Sequence, residues 1–471
     1  MPQPEQPFSQ TPVAGIALAA LVALFAVLQI WIFRWGVITP DTVEQYRQAL
    51  TGQYQDWHPP ITAWLWRMLL HIHGGSAPLL VLDCALYWLG LGLTAEALRR
   101  RGQLPLGLGV IAVGLLPIPF GQMGSILKDS LLSGCLIAAT GILAFHHLLD
   151  RRIGWQAVMG IAVLLVVAAA TRFNAVFAVA PLALHALRRH IWQKSARVIL
   201  PGLLATALLL AGASHVVNTL LLRPAATRPL LSLINFDLAG ISWWSGGNAY
   251  PMPVRSPPQL IAQCYTPAIF SPHDSANCNA IADDLAQWLK ASGTAPGVAW
   301  GRAVAADPLA YIRHRATHFN INQRWAVGHV PDDAIYIMNT PSNGLGLFFH
   351  KSPAAMGVYR GATFMAASPL GRPATWLGVA AAILVLGSTM RAHPLARAIA
   401  ASAMHYSGAY AIVSVAPDMR YNSWPMIAVP LCLIVTLANG GLRRIPRLNG
   451  IVAVSIIGIA IGGEILAMIL A

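Results

Sequence analysis

The stretch VAGIALAALVALFAVLQIWIF, Val13 to Phe33, holds no charged residue and a single amide, Gln29. Its length matches the roughly 20 apolar residues that a helix needs to cross a bilayer core. It is too long for a signal-peptide core, no basic residue precedes it, and no convincing small-residue cleavage site follows. It therefore reads as a retained first span. Working outward, comparable runs lie near residues 77–97, 104–120, 126–147, 155–170, 173–188, 197–218, 373–390, 397–416, 422–440 and 450–470, which makes about 11 transmembrane helices. The whole composition agrees. Hydrophobic residues make up 56% of the 471 and charged residues only 10%, against roughly 25% charged in an ordinary soluble domain. The expected fold is an all-α polytopic membrane protein. A set of soluble domains, a collagen, a coiled coil, a disordered tail and a small disulfide scaffold are excluded by the same numbers.

Lys and Arg number 31 against 17 Asp and Glu, a formal net charge of +14. Most of that excess stands in short loops between apolar runs, where it reports orientation rather than nucleic-acid binding. Arg99, Arg100 and Arg101 follow the second span, and Arg151 and Arg152 follow the fourth. Arg188, Arg189, Lys194 and Arg197 lie between the sixth and seventh, Arg391 and Arg397 flank a later loop, and Arg443, Arg444 and Arg447 the last. All fall on one side if the amino terminus is cytoplasmic. The opposite face then carries a first outer loop, 34–76, and a longer extracytoplasmic segment, 219–372. The chain divides accordingly into an N-terminal transmembrane module, 1–218, the outer segment, 219–372, and C-terminal transmembrane helices, 373–471.

Cys84, Cys135 and Cys432 lie within spans and read as apolar fillers. Cys264 and Cys278 stand close together in the outer segment. Joined, they would close a loop of about 15 residues and contribute roughly 3 kcal/mol in an oxidising compartment; two free thiols in a packed domain are the alternative. The Cys/His spacing of a zinc site, a Gly-rich phosphate loop and HExxH are all absent. The pattern names no cofactor, and a divalent metal is neither required nor excluded by it. No Asn-x-Ser/Thr site occurs in the outer segment, which favours a bacterial periplasm over an endoplasmic reticulum lumen.

The first outer loop carries the most chemistry. In Thr39-Pro40-Asp41-Thr42-Val43-Glu44-Gln45-Tyr46-Arg47-Gln48-Ala49-Leu50, Thr39 suits an N-cap and Pro40 the first helical position. Asp41 then sits in the first turn, where the helix dipole favours its charged form. Val43, Tyr46 and Leu50 form an apolar stripe, and Asp41, Gln45 and Gln48 line another face, so the segment reads as an amphipathic helix at the membrane surface. A helix-favouring acid on a solvated face explains Asp41 as well as a functional carboxylate does. Next comes Tyr54-Gln55-Asp56-Trp57-His58-Pro59-Pro60, in which Asp56 and His58 suit acid, base or ligand roles while Tyr54 and Trp57 also suit an interfacial anchor.

Three later motifs place charge at the outer end of an apolar run: Lys128-Asp129, Arg172-Phe173-Asn174 and Asp418-Met419-Arg420-Tyr421. Such a group costs about 2.5–3.5 kcal/mol in hydrocarbon on insertion scales, so it faces water, another charge or an anion. Snorkelling explains any one of them. Three on the face that bears Asp41 suggest instead a site for a phosphate-bearing lipid headgroup, which guanidinium forks and an ammonium both suit.

The chain resembles the GT-C superfamily of polyprenyl-phosphate-dependent glycosyltransferases. The resemblance rests on Asp41 in the first outer loop, the run ending in His58-Pro59-Pro60, the Lys128-Asp129 span start, Thr171-Arg172-Phe173-Asn174 between short spans, and Arg420-Tyr421-x-x-x-Pro425 opening a late span. It extends in topology from residue 1 to about 440, and its specificity comes from the order and shared sidedness of short motifs. It implies a multi-pass enzyme of a bacterial inner membrane, active on the periplasmic face, that moves a sugar from a polyprenyl-phosphate donor to a glycan, lipid or protein acceptor. The family's catalytic carboxylate in the first outer loop maps onto Asp41. Where the family often has two adjacent acids, this chain has Asp41 and Glu44 three apart.

In that chemistry a carboxylate removes the acceptor's proton as the bond to the sugar forms, and the departing phosphate needs electrostatic stabilisation. Asp41 is the expected base, with Glu44 and Asp56 behind it; Arg172, Arg420 and Lys128 are the expected phosphate ligands, with His58 and Tyr421 beside them. In the outer segment, Asn235-Phe236-Asp237 and a helix with Tyr311, Arg315 and His318 on one face suit sugar or acceptor recognition, or a lid; His318 is kept as a binding candidate. Two other readings stay open. One is a transporter or flippase for lipid-linked saccharides, which ordinarily shows internal repeats and midplane charges; the other is an O-antigen ligase or polymerase.

Overall fold

The computed structural model describes residues 11–252, 263–270, 276–328, 335, 340, 342–389, 394–440 and 447–470. Arg391, Arg443 and Arg444 lie outside the described residues. Among those described there are nineteen α-helices and no β-strand. The N-terminal half runs α1 (Pro12–Ile32), α2 (Pro40–Thr51), α3 (Ile61–Leu70), α4 (Ala77–Arg100), α5 (Leu104–Gly114), α6 (Pro117–Gln122), α7 (Lys128–Leu148), α8 (Trp155–Thr171), α9 (Ala175–Leu187) and α10 (Ala196–His215). Next come α11 (Leu230–Ser245), α12 (Ala276–Ser292), α13 (Pro296–Ala306), α14 (Pro308–Gln323) and α15 (Pro353–Ala366). The chain closes with α16 (Pro373–Thr389), α17 (Pro394–Val413), α18 (Ser423–Ala438) and α19 (Arg447–Leu470).

A helix stands at every expected span. Six stretches among the described residues are long and apolar enough to cross a membrane: 12–32, 77–100, 128–148, 196–221, 419–438 and 447–470. The protein is a multi-pass helical membrane protein. Of these stretches α7 and the one ending in α18 are each 83% buried, whereas α1 and α19 are each 17% buried. The first two therefore form the centre of the bundle and the last two its rim. α4 lies directly against α7, because Gly90 and Gly141 bring the two backbones together: a Cβ on Gly90 would meet the Ile137 backbone, and one on Gly141 the backbone of Gly90.

The expected span over 104–120 is broken. α5 stops at Gly114 and α6 restarts at Pro117, where proline fits the first turn of a new helix but cannot continue the old one. The outer segment also divides. α11 to α14 enclose their own core around Phe236, Leu238, Ile281 and Leu285, which includes the Cys264–Cys278 disulfide, with Cα atoms 5.6 Å apart. α15, with Leu347 and Phe349, belongs to the main bundle core and packs on α6.

α2 begins as its sequence requires. Thr39 caps it through a reciprocal pair with Thr42, and Thr42 also donates to the Ile126 carbonyl, which ties the helix start to the approach to α7. Its faces differ from the expected stripe. Val43 and Tyr46 are buried but Leu50 is exposed, while the polar Gln45 and Gln48 are buried. The reason is tertiary: Gln48 accepts from the Gln55 backbone, and Arg67 of α3 reaches the carbonyls of Ala49 and Leu50. α2 is thus clamped into the protein on both faces rather than resting on a membrane surface.

Candidate active site

At one end of the bundle, four distant segments bring charge together. α2 supplies Asp41, the following loop His58, the start of α7 Lys128, and the turn before α18 Arg420. Arg420 Nη1 donates to Asp41 Oδ2 at 2.9 Å, and Lys128 Nζ lies 3.7 Å from the same oxygen. His58 stands between them: its Nδ1 is 3.0 Å from Lys128 Nζ and its Nε2 3.5 Å from Asp41 Oδ1. An ammonium only donates, so His58 Nδ1 accepts and its proton sits on Nε2, facing the carboxylate. Arg420 also grips Asp418 Oδ2 through Nε and Nη2, at 2.8 and 2.7 Å.

A second layer lies behind. Arg172 pairs with Asp129, reaches Asn174 Oδ1 at 3.4 Å, and lies over the Tyr421 ring at 4.4 Å. Tyr421 stacks on Tyr410, which bonds to Tyr406. Three cations and three carboxylates therefore balance within one cluster. Asp41 is its open member, 25% exposed at the side chain against 3% for Asp129 and 14% for Asp418.

Burial alone would raise the Asp41 carboxyl. Lys128, the hydrogen bond from His58 and the Arg420 guanidinium outweigh it and hold the group well below the usual carboxylate range. For His58, burial and the Lys128 charge push the ring below its ordinary value against the opposing pull of Asp41, so it is neutral at pH 7. Among the described residues no three His, Cys, Asp or Glu side chains converge in a way that would hold a metal.

The remaining candidates stand elsewhere. Glu44 pairs with Arg47 at 2.7 Å and accepts from Gln48. Asp56 accepts from the Thr227 backbone and hydroxyl, which pins the first loop to the chain after α10. His318 is fully buried in α14; its Nδ1 donates to the Pro267 carbonyl, and burial pushes the ring down to about 4. It packs on Phe236 beside a closed polar centre in which Asp237 receives Trp300, His314 and Arg315. That centre acts on the site indirectly. Arg315 Nη1 donates to the Ser414 carbonyl, Phe270 N to Val415 O, and Asn322 Nδ2 to Ala416 O, while Gln323 bonds Asn422. The outer segment thereby holds both sides of the loop that presents Asp418 and Arg420.

Asp129 and Asp418, quoted in the sequence motifs but not chosen as site residues, are the carboxylates that pair with Arg172 and Arg420. Tyr406 and Tyr410, four apart on an apolar helix, were a readable signal. So were Asp83 and Glu464, lone acids in spans. Both are fully buried; Glu464 accepts from Thr375, and the two carboxylate oxygens of Asp83 have no hydrogen-bond partner among the described residues.

No protein-family model matches the chain, and no curated protein matches it. Among solved structures it is similar to ArnT from Cupriavidus metallidurans bound to undecaprenyl phosphate, at 13% identity over 90% of this chain and 77% of that one, with a TM-score of 0.33. The apo form of the same protein gives 14% identity over 90% and 78%, with a TM-score of 0.30. Likeness at that level carries no argument about the reaction. What the fold and the site define is a polytopic helical membrane protein with a half-open ion-pair cluster at one end of its bundle.

Proposed function

We propose that the chain is a membrane glycosyltransferase that moves a sugar from a polyprenyl-phosphate donor to a glycan, lipid or protein acceptor at the periplasmic face of a bacterial inner membrane. The observation that carries this reading is the Asp41 carboxylate held between Arg420, Lys128 and His58 at the partly open end of the cluster. A general base paired with two cations is a weak base, since the best catalytic pKa lies near the working pH. Donor binding supplies the remedy. A phosphate drawn to Lys128 and Arg420 competes with Asp41 for both, and its own negative charge raises the carboxylate's proton affinity. Asp41 becomes basic when the donor is in place.

The acceptor oxygen or nitrogen then attacks the sugar C1. The bond from C1 to the phosphate oxygen breaks with its electron pair on the phosphate, and the acceptor's proton passes to Asp41. Lys128 and Arg420 stabilise the departing anion, and the Arg172–Asp129 pair behind them holds the cation layer in place. His58, neutral and donating from Nε2, orients the carboxylate. The test is turnover of purified Asp41→Asn with a polyprenyl-phosphate sugar. Loss of turnover with donor binding kept supports the reading, and wild-type turnover removes it. Asp83 and Glu464 favour a second reading, transport of a lipid-linked saccharide, because buried acids in spans commonly mark ion paths; movement of a labelled lipid-linked saccharide across proteoliposomes without chemical change would select it.

A further inference from the structure

The opposite end of the bundle holds a second polar pocket. His147 lies nineteen residues along α7 from Lys128, about 30 Å at the helical rise. There a cavity of about 360 Å³ is lined by Arg101, His147, Asp150, Arg189, His190 and Asn439, within the range of small-ligand sites. The side chains come from the ends of α4, α7 and α18 and from the 3₁₀ turn at Arg189–Gln193.

The three arginines that follow one another at the end of α4 are not equivalent. Arg99 and Arg100 both bind Glu96, at 2.7 and 2.6 Å, and share its one negative charge. Arg101 donates instead to the uncharged Asn439 Oδ1 at 2.9 Å and meets no carboxylate among the described residues. In the same lining, Arg189 touches Asp150 at 3.2 Å, an aspartate whose side chain is 83% exposed, so water screens that pair heavily. His147 closes the inner wall through a 2.7 Å bond to His185. Among the described residues the cavity thus holds one guanidinium paired with no carboxylate, a second only weakly compensated by Asp150, and the His147 and His190 rings beside them.

We propose that this pocket binds a phosphate-ester anion at the membrane face remote from Asp41. Guanidinium forks match phosphate oxygens, and basic pockets between transmembrane helices on the cytoplasmic side suit anionic lipid headgroups. The short basic loops place the pocket on that side by charge. The inference is independent of the reaction assigned to Asp41.

The test uses the full-length protein in detergent, with retention of phosphatidylglycerol, phosphatidylcholine of the same chains, and inorganic phosphate read by native mass spectrometry and by thermal unfolding. The wild type retains phosphatidylglycerol over phosphatidylcholine by about 30-fold, the product of two arginine contacts. Arg101→Gln and Arg189→Gln each remove part of that preference, and together they abolish it. Arg100→Gln, outside the pocket, leaves it unchanged. Displacement of the lipid and equal stabilisation by millimolar inorganic phosphate identify a free anion as the occupant; no displacement identifies the lipid headgroup. The proposal is overturned if neither phosphatidylglycerol nor phosphate is preferred, or if the preference survives the double substitution. Unfolding of the double variant does not rescue it, because each single variant must still lower the preference.

Discussion

Asp41→Asn is the most informative single change, because the structure separates its consequences. The helix start does not depend on it: Thr39 is the cap, and Asp41 contributes only a first-turn charge worth about 0.3–1 kcal/mol. Nor does Arg420 lose its anchor, since Asp418 binds it through two nitrogens. An asparagine oxygen still accepts from Arg420 Nη1, so the loss falls at or below the lower end of the roughly 1.5–3 kcal/mol of a charge-assisted bond. Folding should survive with a modest drop in melting temperature. Chemistry should not: removal of a general base typically costs on the order of 10² to 10⁴ in rate. The donor term moves the other way. With one carboxylate gone from a balanced cluster, Lys128 and Arg420 are left with excess positive charge, so the donor KM should hold or fall while kcat collapses. Steady-state kinetics on purified protein with a polyprenyl-phosphate sugar would measure both. Turnover near that of the wild type refutes the assignment, and a raised KM at unchanged kcat would recast Asp41 as a binding group.

Arg420→Ala should destabilise by about 3–5 kcal/mol because it strands Asp418, whereas Arg420→Lys keeps the charge, loses the fork and should raise the donor KM about tenfold. Gln323→Leu removes a bond to Asn422 beside that loop; its effect on donor KM should be non-additive with Arg420→Lys in a double-mutant cycle, and strict additivity would show that the outer segment does not act through Arg420. The depressed value of His58 has a sign: the unfolded chain takes up a proton near pH 6.5 before the folded one does, so stability is full above about 6.5 and declines as pH falls through the lowered folded value. Chemical denaturation of His58→Gln should show a shallower loss than the wild type as pH falls below about 6.5, and parallel curves would deny His58 that role. Reporter fusions at Thr51 and Ala280 should be extracytoplasmic and those after Arg101, Arg152 and Arg189 cytoplasmic; a cytoplasmic Thr51 would put the proposed active face on the wrong side.

Composition and local pattern determined the helical membrane class, where helices form along the apolar runs apart from the break before Pro117, and the start of α2. Those depend on transfer free energy summed over a window and on bonds between residues a few positions apart, such as Thr39 with Thr42, both readable along a chain. Pattern also selected Lys128, Arg172 and Arg420, since charge at the end of an apolar run is anomalous wherever it occurs, and it marked Asp41 and His58 within the first outer loop. Their convergence was a tertiary matter. Asp41 and Arg420 meet across 379 residues, and no periodicity encodes which helix ends share a corner of a bundle. The same limit explains the rest. Glu44 and Asp56 stood behind Asp41 as candidate bases until folding gave the first Arg47 and the second Thr227, and Gln45 and Gln48 read as a solvated face until α3 and the loop after α2 covered them. Side-chain chemistry is local, but burial and pairing depend on which distant segments arrive alongside, and only the packed chain decides that.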